Sequence, residues 1–571
     1  MKRMIAVCLS LLLMMAAVPH GAAAATTGTI GNITYEIDGG QVTITGYNVA
    51  VPADLIIPDT IKGYPVTAIG AGAFEDAACS SVTIPDSVLS IGKYAFAWCT
   101  FLKTATIGNG VATIGYGAFS YTGLTTVSIG SGASAIDDHT FMSCSKMTAI
   151  TVAEDNPYYC AVDGVLYNKP VTRLIYYPGG KAGAFVFPDT VTSYVNGAFD
   201  FCNTITSVTL PAGLTAFSTG SFYKCTALGS IHVAADNPYI RSHGGVVFSK
   251  DMSTLLCCPS GRWGVYVVPE QVTTIARSAF EHCEYLSTLI IPNNVTKIED
   301  SAFAYCHKLT SVTIPDSVTE IGEHLFYDCN NLASVTIGKG ITDLPTMTFY
   351  DCGKLTDIHL PDTLTHIGTY AFKGSGYAND VANRRNGALF YGTYLIYAVG
   401  TVYGEYVVPA DTTLIADYAF HGSDRMTAVV IPEGIRSIGF STFSRCAALK
   451  SVTLPSTLTS VGEHAFSYCS ALANVYYGGT EKDKGGIAIA DHNDPLNNAV
   501  WHCAVPEGIP GDGNGDGKVN NRDLGLLQQY LNEWDVEIDL TVMDVNRDER
   551  VNNRDLGLLQ QYLNGWDVEI G

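Results

Sequence analysis

A chain of 571 residues is too long for one compact core, so several domains or a repeat array are expected. Only 15% of the residues are charged, 57 are glycine, and Tyr, Thr, Val and Ile recur throughout, which suits short strands joined by turns and argues against a helical bundle. The formal net charge of −22 argues against nucleic acid or an anionic membrane surface as a partner and is compatible with bound cations.

Lys2 and Arg3 precede an apolar run, Ile5 to Val18, and the small residues Ala22 to Ala25 follow. That order predicts a secretory signal peptide over 1–25, with the mature chain starting near Ala25 or Thr26. The run falls short of the ~20 residues that span a bilayer. No second long apolar segment follows, so a secreted, extracellular protein without membrane insertion is expected.

From Phe74 one phrase keeps returning: an apolar strand, Pro or Gly, a Val or Leu, then Ile-Gly-x-x-Ala-Phe-x-x-Cys. Its Phe stands at 74, 96, 119, 141, 199, 222, 280, 303, 326, 349, 372, 420, 443 and 466, spaced by 22 or 23 except for two gaps of 58 and one of 48. A fixed period of this size predicts a solenoid whose rungs bury their apolar stripes against one another. In one rung Leu309, Val312 and Ile314 should face inward and Thr313 outward, Pro315 should end the strand, and Val318, Ile321 and Phe326 should fill the remaining coil. The phrase resembles the BspA-type leucine-rich repeats of bacterial surface and secreted proteins, over roughly Tyr64 to Cys503. The resemblance implies a leucine-rich-repeat solenoid of short parallel strands, β-rich with little helix. It places an N-terminal cap at 26–63, the repeats at 64–474 and a C-terminal cap at 475–503. The interruptions at 155–187, 236–268 and 386–408 contain runs such as Gly164-Val-Leu-Tyr167 and Tyr394-Leu-Ile-Tyr397, which read as extra hairpin strands.

Ten of the sixteen cysteines (Cys99, Cys144, Cys202, Cys225, Cys283, Cys306, Cys329, Cys352, Cys446 and Cys469) follow the repeated Phe by three residues. A ladder at one rung position predicts buried free thiols that meet backbone groups, rather than a disulfide framework. No pair of Cys-x-x-Cys motifs has zinc-site spacing. No nucleophile elbow, His-Glu-x-x-His helix or phosphate loop occurs, and acidic residues recur in Pro-Asp turns such as Pro85-Asp86, Pro315-Asp316 and Pro361-Asp362. No enzyme is therefore expected; a carboxylate pair of a polysaccharide-degrading glycoside hydrolase is the alternative. His282, His307, His324 and His464 lie near the repeated Phe and read as variable surface positions. The exposed strand faces, carrying Thr, Ser, Tyr and His, are the expected surface for a protein or glycan ligand.

After the short join 504–510, residues 511–571 carry nine Asp and four Glu against five basic residues, a net of −8. Two acidic loops precede a near-perfect duplication, Val519 to Ile538 and Val551 to Ile570, which differ only at Glu533 and Gly565. Loop positions one, three, five, nine and twelve are Asp512, Asn514, Asp516, Asn520 and Asp523, then Asp544, Asn546, Asp548, Asn552 and Asp555. With the backbone carbonyls of Lys518 and Arg550 at position seven, each set can surround a hard cation such as calcium, two ions in all. Leu524, Leu527, Tyr530 and Leu531, matched by Leu556, Leu559, Tyr562 and Leu563, predict one apolar helix face per copy.

Loop, helix, linker, loop, helix resembles a type I dockerin, the calcium-dependent plug that binds cohesin domains of scaffoldins in cellulosomes. The resemblance implies recognition through Asn521, Arg522, Gln528 and Gln529 and their counterparts Asn553, Arg554, Gln560 and Gln561. Two identical sets imply two docking orientations related by about 180°. Glu549 departs from the Gly at position six, so weaker calcium binding is expected in the second loop. The whole reads as a non-catalytic binding component of a cohesin–dockerin complex, with an adhesin or inhibitor as a further alternative.

Overall fold

The computed structural model describes residues 25–398, 400, 402–504, 508–548 and 550–570. The expected signal peptide up to residue 24, the segment 505–507 and Glu549 lie outside the described residues. Among those described, no helix is long and apolar enough to cross a membrane. The chain divides into two compact units, residues 1–384 and 385–571.

The first unit opens with an antiparallel meander, Thr26–Ile30, Ile33–Asp38 and Gln41–Tyr47, whose last strand pairs in parallel with Tyr64–Ile69. From there each rung adds one strand to each of two parallel sheets. Four-residue strands such as Ser81–Ile84, Thr104–Ile107, Thr126–Ile129 and Ala149–Val152 stack in register. Two-residue strands such as Ser90–Ile91, Thr113–Ile114 and Ala135–Ile136 form the second sheet. The period of two decides the faces: Val312 and Ile314 of Ser311–Ile314 are buried and Thr313 is exposed. Leu309, Val318, Ile321 and Phe326 complete the buried interior of that rung.

A bonded turn closes the third side. Left-handed residues flank the Phe two positions away on each side, Ser301 (φ 55°) and Tyr305 (φ 58°) around Phe303, His324 (φ 58°) and Asp328 (φ 55°) around Phe326. Such a conformation costs a non-glycine residue about 1 kcal/mol or more. Bonds to the following rung offset it: Phe303 N donates to Leu325 O (3.1 Å) and Tyr305 N to Tyr327 O (2.8 Å). The tight turn aims each Phe along the axis, and neighbouring rings lie 5.7 Å (Phe280 and Phe303) and 5.5 Å (Phe303 and Phe326) apart.

The same turn explains the cysteines. Cys99, Cys306, Cys329 and Cys352 each direct their thiol at the main-chain carbonyl of the Phe one rung back, at 3.0 to 3.2 Å. That carbonyl is buried, and a small weak donor satisfies it without adding volume. Where Cys is absent the position stays small: Thr122 Oγ1 and Ser375 Oγ donate to Phe119 O and Phe372 O instead. All fifteen described cysteines are free. Burial pushes the Cys144 thiol up to about 11 and that of Cys352 up to about 12, so neither is a ready thiolate.

Two antiparallel excursions leave this unit, Tyr159–Val162 with Val165–Asn168 and Arg173–Tyr176, and Ile240–His243 with Val246–Ser249 and Thr254–Cys257. Each starts at a buried asparagine with all its hydrogen-bonding capacity used. Asn156 Nδ2 donates to Gly130 O and Ala133 O, and its Oδ1 accepts from Tyr158 N and Tyr159 N. Asn237 repeats the arrangement with Pro211, Leu214, Tyr239 and Ile240.

In the second unit Gly404–Val407, Met426–Val430, Ser451–Leu454, Asn474–Tyr477 and Val500–Cys503 stack in parallel, and Ala388–Tyr391 with Tyr394–Tyr397 form a hairpin. The described residues of 508–548 and 550–570 carry helices and no strand, with helices Asn521–Leu531, Leu540–Met543 and Asn553–Leu563. The short middle helix falls where the sequence suggests only a linker. Asp539 caps it by accepting from Thr541 N, and it buries Val542 and Met543 beside Leu527 and Leu559. Tyr562, expected on the apolar face, is 43% exposed, because the small core is filled by the leucines, Val545 and Met543.

Candidate functional site

The two acidic loops are built alike. In the first, Asp512 Oδ1 accepts from Asp516 N (3.1 Å) and Oδ2 from Gly517 N (2.7 Å), which wraps the loop around its first carboxylate. Asn514 Oδ1 accepts from Asp516 N and Asp516 Oδ1 from Lys518 N. Asp523 closes the ring: Oδ1 accepts from Asn514 N (3.2 Å) and Oδ2 from Asn520 N (2.8 Å). Asn520 Oδ1 caps helix Asn521–Leu531 through Arg522 N, and its Nδ2 donates to Lys518 O. Gly511 precedes the loop at φ 88°, a left-handed conformation that favours glycine.

The second loop repeats every described bond. Asp548 N donates to Asp544 Oδ1 (3.1 Å) and Asn546 Oδ1 (2.9 Å), and Arg550 N to Asp548 Oδ1 (3.1 Å). Asp555 accepts from Asn546 N (3.2 Å) and Asn552 N (2.8 Å). Asn552 accepts from Arg554 N and donates to Arg550 O. Arg547 takes the left-handed place of Gly515 (φ 58° against 68°) at a cost the glycine does not carry.

This donor set fits a hard cation. Asp512, Asp523 and Asp555 are 5%, 0% and 0% exposed, and among the described residues no lysine or arginine forms an ion pair with them. Backbone N–H groups satisfy their oxygens, and a cation supplies the counter-charge that a buried carboxylate otherwise lacks. Oxygen-only ligands at alternating loop positions are those that calcium prefers. The side chains of Asn520 and Asn552 are committed to helix caps, which leaves one oxygen lone pair each and suits the water-mediated ninth position.

Of the expected recognition residues, Asn521, Arg522, Asn553 and Arg554 are exposed at the first turns of the two long helices, Gln528 and Gln560 are exposed, and Gln529 and Gln561 are half-buried. Arg554 also lies 3.9 Å from Asp548. Sequence reasoning passes over Trp534 and Trp566, which follow the two helices at matching places and are 63% and 62% exposed. Their duplication outside the apolar pattern is the signal that could reveal them.

In the solenoid, a groove of about 580 Å3 on the outer strand face is lined by Thr83, Thr106, Ser128, Thr151, Asp86 and Asn109. Asp86 Oδ1 accepts from Asn109 N (2.6 Å), and Asp316 Oδ1 likewise from Lys339 N, so these turn acids hold one rung to the next. A different acid pair is perturbed: burial, and then the charge of Glu281, push Asp200 up to about 6, while burial raises Glu281. The crevice lined by Glu281 has about 10 Å3, far below the ~300 Å3 of small ligand pockets. It admits no sugar ring, and the pair gives no support to glycoside hydrolysis.

His282, expected at the surface, is 1% exposed, because its left-handed backbone turns the ring between Tyr223 and Tyr305, 4.6 and 4.3 Å away. Neither ring nitrogen has a hydrogen-bond partner, and burial, followed by the charge of Lys224, lowers its pKa to about 3. A depressed folded-state value means that the unfolded chain binds the extra proton. Stability from the neutral ring is therefore complete above about 6.5 and is lost as pH falls toward 3. His282→Phe is expected to raise the denaturation midpoint more at pH 5 than at pH 8, read from denaturant unfolding at both values; Asp200 titrates in the opposite sense, but equally in both chains. An equal shift at both pH values would rule out this origin.

Comparison with known families adds two matches. The BspA type Leucine rich repeat region matches in 6 copies, over residues 67–161, 179–251, 265–379 and 404–484. The Dockerin type I domain matches residues 510–564. Among solved structures, a leucine-rich repeat protein from Eubacterium ventriosum is 19% identical, with 78% of this chain and 95% of that one covered and a TM-score of 0.36. A leucine rich cell surface protein from Faecalibacterium prausnitzii is 22% identical, with 81% and 97% covered and a TM-score of 0.33. A leucine-rich repeat protein from Bacteroides ovatus is 18% identical, with 84% and 100% covered and a TM-score of 0.29. No curated protein matches.

Proposed function

The chain belongs to the family of BspA-type leucine-rich repeat proteins and ends in a type I dockerin domain, and from that premise we propose that it is a secreted, non-catalytic binding component of a cohesin–dockerin assembly. Dockerin type I domains bind calcium and imply a cohesin partner, and a repeat solenoid offers a surface for protein binding. The finer reading is that each loop holds one calcium ion. Asp512, Asn514, Asp516, Asp523 and the carbonyl of Lys518 hold the first, with Asn520 through water; Asp544, Asn546, Asp548, Asp555 and the carbonyl of Arg550 hold the second, with Asn552 through water. The ion supplies the positive charge that buried carboxylates need. Asp523 and Asp555 then tie each closed loop to the first turn of its helix, which presents Asn521 and Arg522, or Asn553 and Arg554, to the partner.

The observation that carries this reading is the pair of matching loops, each with a buried, uncompensated carboxylate at position twelve. The meander Thr26–Tyr47 and the strands after Asn474 serve as caps, and the outer strand faces bind a protein or glycan ligand that the dockerin brings to the complex. The deciding experiment is a pull-down from the producing organism's secretome with the full chain as bait. A cohesin-bearing scaffoldin recovered with calcium and lost with chelator is the expected result. Recovery of no cohesin-bearing protein in either condition would refute the assignment.

A further inference from the structure

We propose that Glu463, His464 and His492 form a binding site for a divalent transition-metal ion, zinc by its donor set, at the end of the repeat region. His464 stands two residues before Phe466 in the left-handed place of its turn (φ 59°). His464 N donates to Asp491 O (3.1 Å), the same rung-to-rung bond by which Ser441 N reaches Glu463 O (3.1 Å). His492 (φ 63°) therefore occupies the same place one turn later, and the two imidazoles stack with centroids 4.2 Å apart. Most rungs have a left-handed residue there, Ser301, His324 and Ser441 among them, so the backbone itself says nothing about ligands. The pairing does, because no other two successive turns carry histidine at this place.

One nitrogen of each ring lies close to the same carboxylate oxygen. Glu463 Oε1 lies 3.5 Å from His464 Nε2 and 3.3 Å from His492 Nδ1. These separations exceed the ~2.7–2.9 Å of a charge-assisted hydrogen bond. The two oxygen-to-nitrogen separations match the edge of a tetrahedron with bonds of ~2.0–2.1 Å, about 3.3–3.4 Å, while all three donor atoms lie within 4.8 Å of one another, and the stacked rings rotate to bring both nitrogens onto one ion. The protons are arranged to leave a lone pair. Ser467 Oγ donates its only hydrogen to His492 O (2.6 Å), so at its 3.0 Å contact with His464 Nδ1 it accepts from that nitrogen. Nδ1 carries a proton, and in the neutral ring Nε2, the nitrogen nearer Glu463, keeps a lone pair for an ion. With that nitrogen unprotonated, a shared cation offsets the repulsion between it and Glu463 Oε1. Fixing the tautomer through the far nitrogen is how proteins orient metal-binding histidines.

Two imidazoles and one carboxylate suit zinc and leave a fourth position for water or a partner's side chain. The site joins turns 28 residues apart, across the helical insertion Glu481–Lys484, where the normal spacing is 22 or 23. It thus clamps the last full turn of the array. A search for cysteine spacing passes over it, because no cysteine takes part.

The test uses the full chain saturated with calcium and titrated with Zn2+ by calorimetry. One saturable site is expected, with affinity lowered at least about tenfold in Glu463→Gln and in His492→Gln, and about tenfold in Ser467→Ala. Co2+ in place of zinc should give visible d–d absorption without thiolate charge transfer. A parent chain that binds no more Zn2+ than a His464→Gln/His492→Gln variant would overturn the site, as would a Co2+ complex with thiolate charge transfer.

Discussion

Replacing Asn521 and Arg522 by alanine is expected to weaken capture of a cohesin only about twofold, while the same change in both copies abolishes binding. The helices Asn521–Leu531 and Asn553–Leu563 have the same sequence, and their caps and loop bonds agree to within 0.1 Å where both are described. Either copy can therefore offer the same exposed side chains at the same local geometry. If both orientations bind equally, losing one halves the population of productive modes, a change of about 0.4 kcal/mol. Losing both removes the charge-bearing anchors from every mode, and anchors of this type are worth about 2 kcal/mol or more each. Calorimetry with a purified cohesin would distinguish the two. A loss of more than about tenfold from the first pair alone would contradict dual-mode binding.

Chelation of calcium is expected to unfold the terminal helices while leaving the repeat strands intact, seen as a fall in helical circular dichroism without loss of the strand signal. Among its described residues the module's buried apolar core is Leu527, Val542, Met543, Val545 and Leu559. Cores of this size in chains of about 60 residues seldom suffice without a staple. Its two long helices have eleven residues each, a length at which isolated helices are marginal in water. Without the ion, Asp512, Asp523 and Asp555 remain buried and uncompensated, and metal binding becomes part of the folding free energy. The repeat strands depend on no such charge, since their interior is a stack of apolar side chains capped by thiol-to-carbonyl contacts. Helical signal unchanged by chelator would show that the apolar core alone is sufficient.

The repeat period and the alternation within each strand determine which of Leu309, Val312, Thr313, Ile314, Val318, Ile321 and Phe326 face inward, because these patterns are local and every rung repeats them. The duplication likewise determines the terminal helices, since the caps and the acidic loop residues bonded to them lie within a dozen residues of one another. Other features depend on contacts between rungs. His282 looks like its neighbours in sequence, yet it is buried because Tyr223, 59 positions earlier, comes to lie against it across an excursion of the chain. Glu463, His464 and His492 look like scattered surface residues, yet one oxygen comes to face two imidazoles because the array stacks equivalent turns despite an insertion. The short helix Leu540–Met543 exists because Val542 and Met543 can be buried between two helices that must already be in place. Sequence by itself thus determined the repeating interior and the two acidic loops with their capped helices, whose causes are local. Tertiary structure alone decided which polar side chains meet, because a solenoid sets those distances by rung stacking and not by separation along the chain.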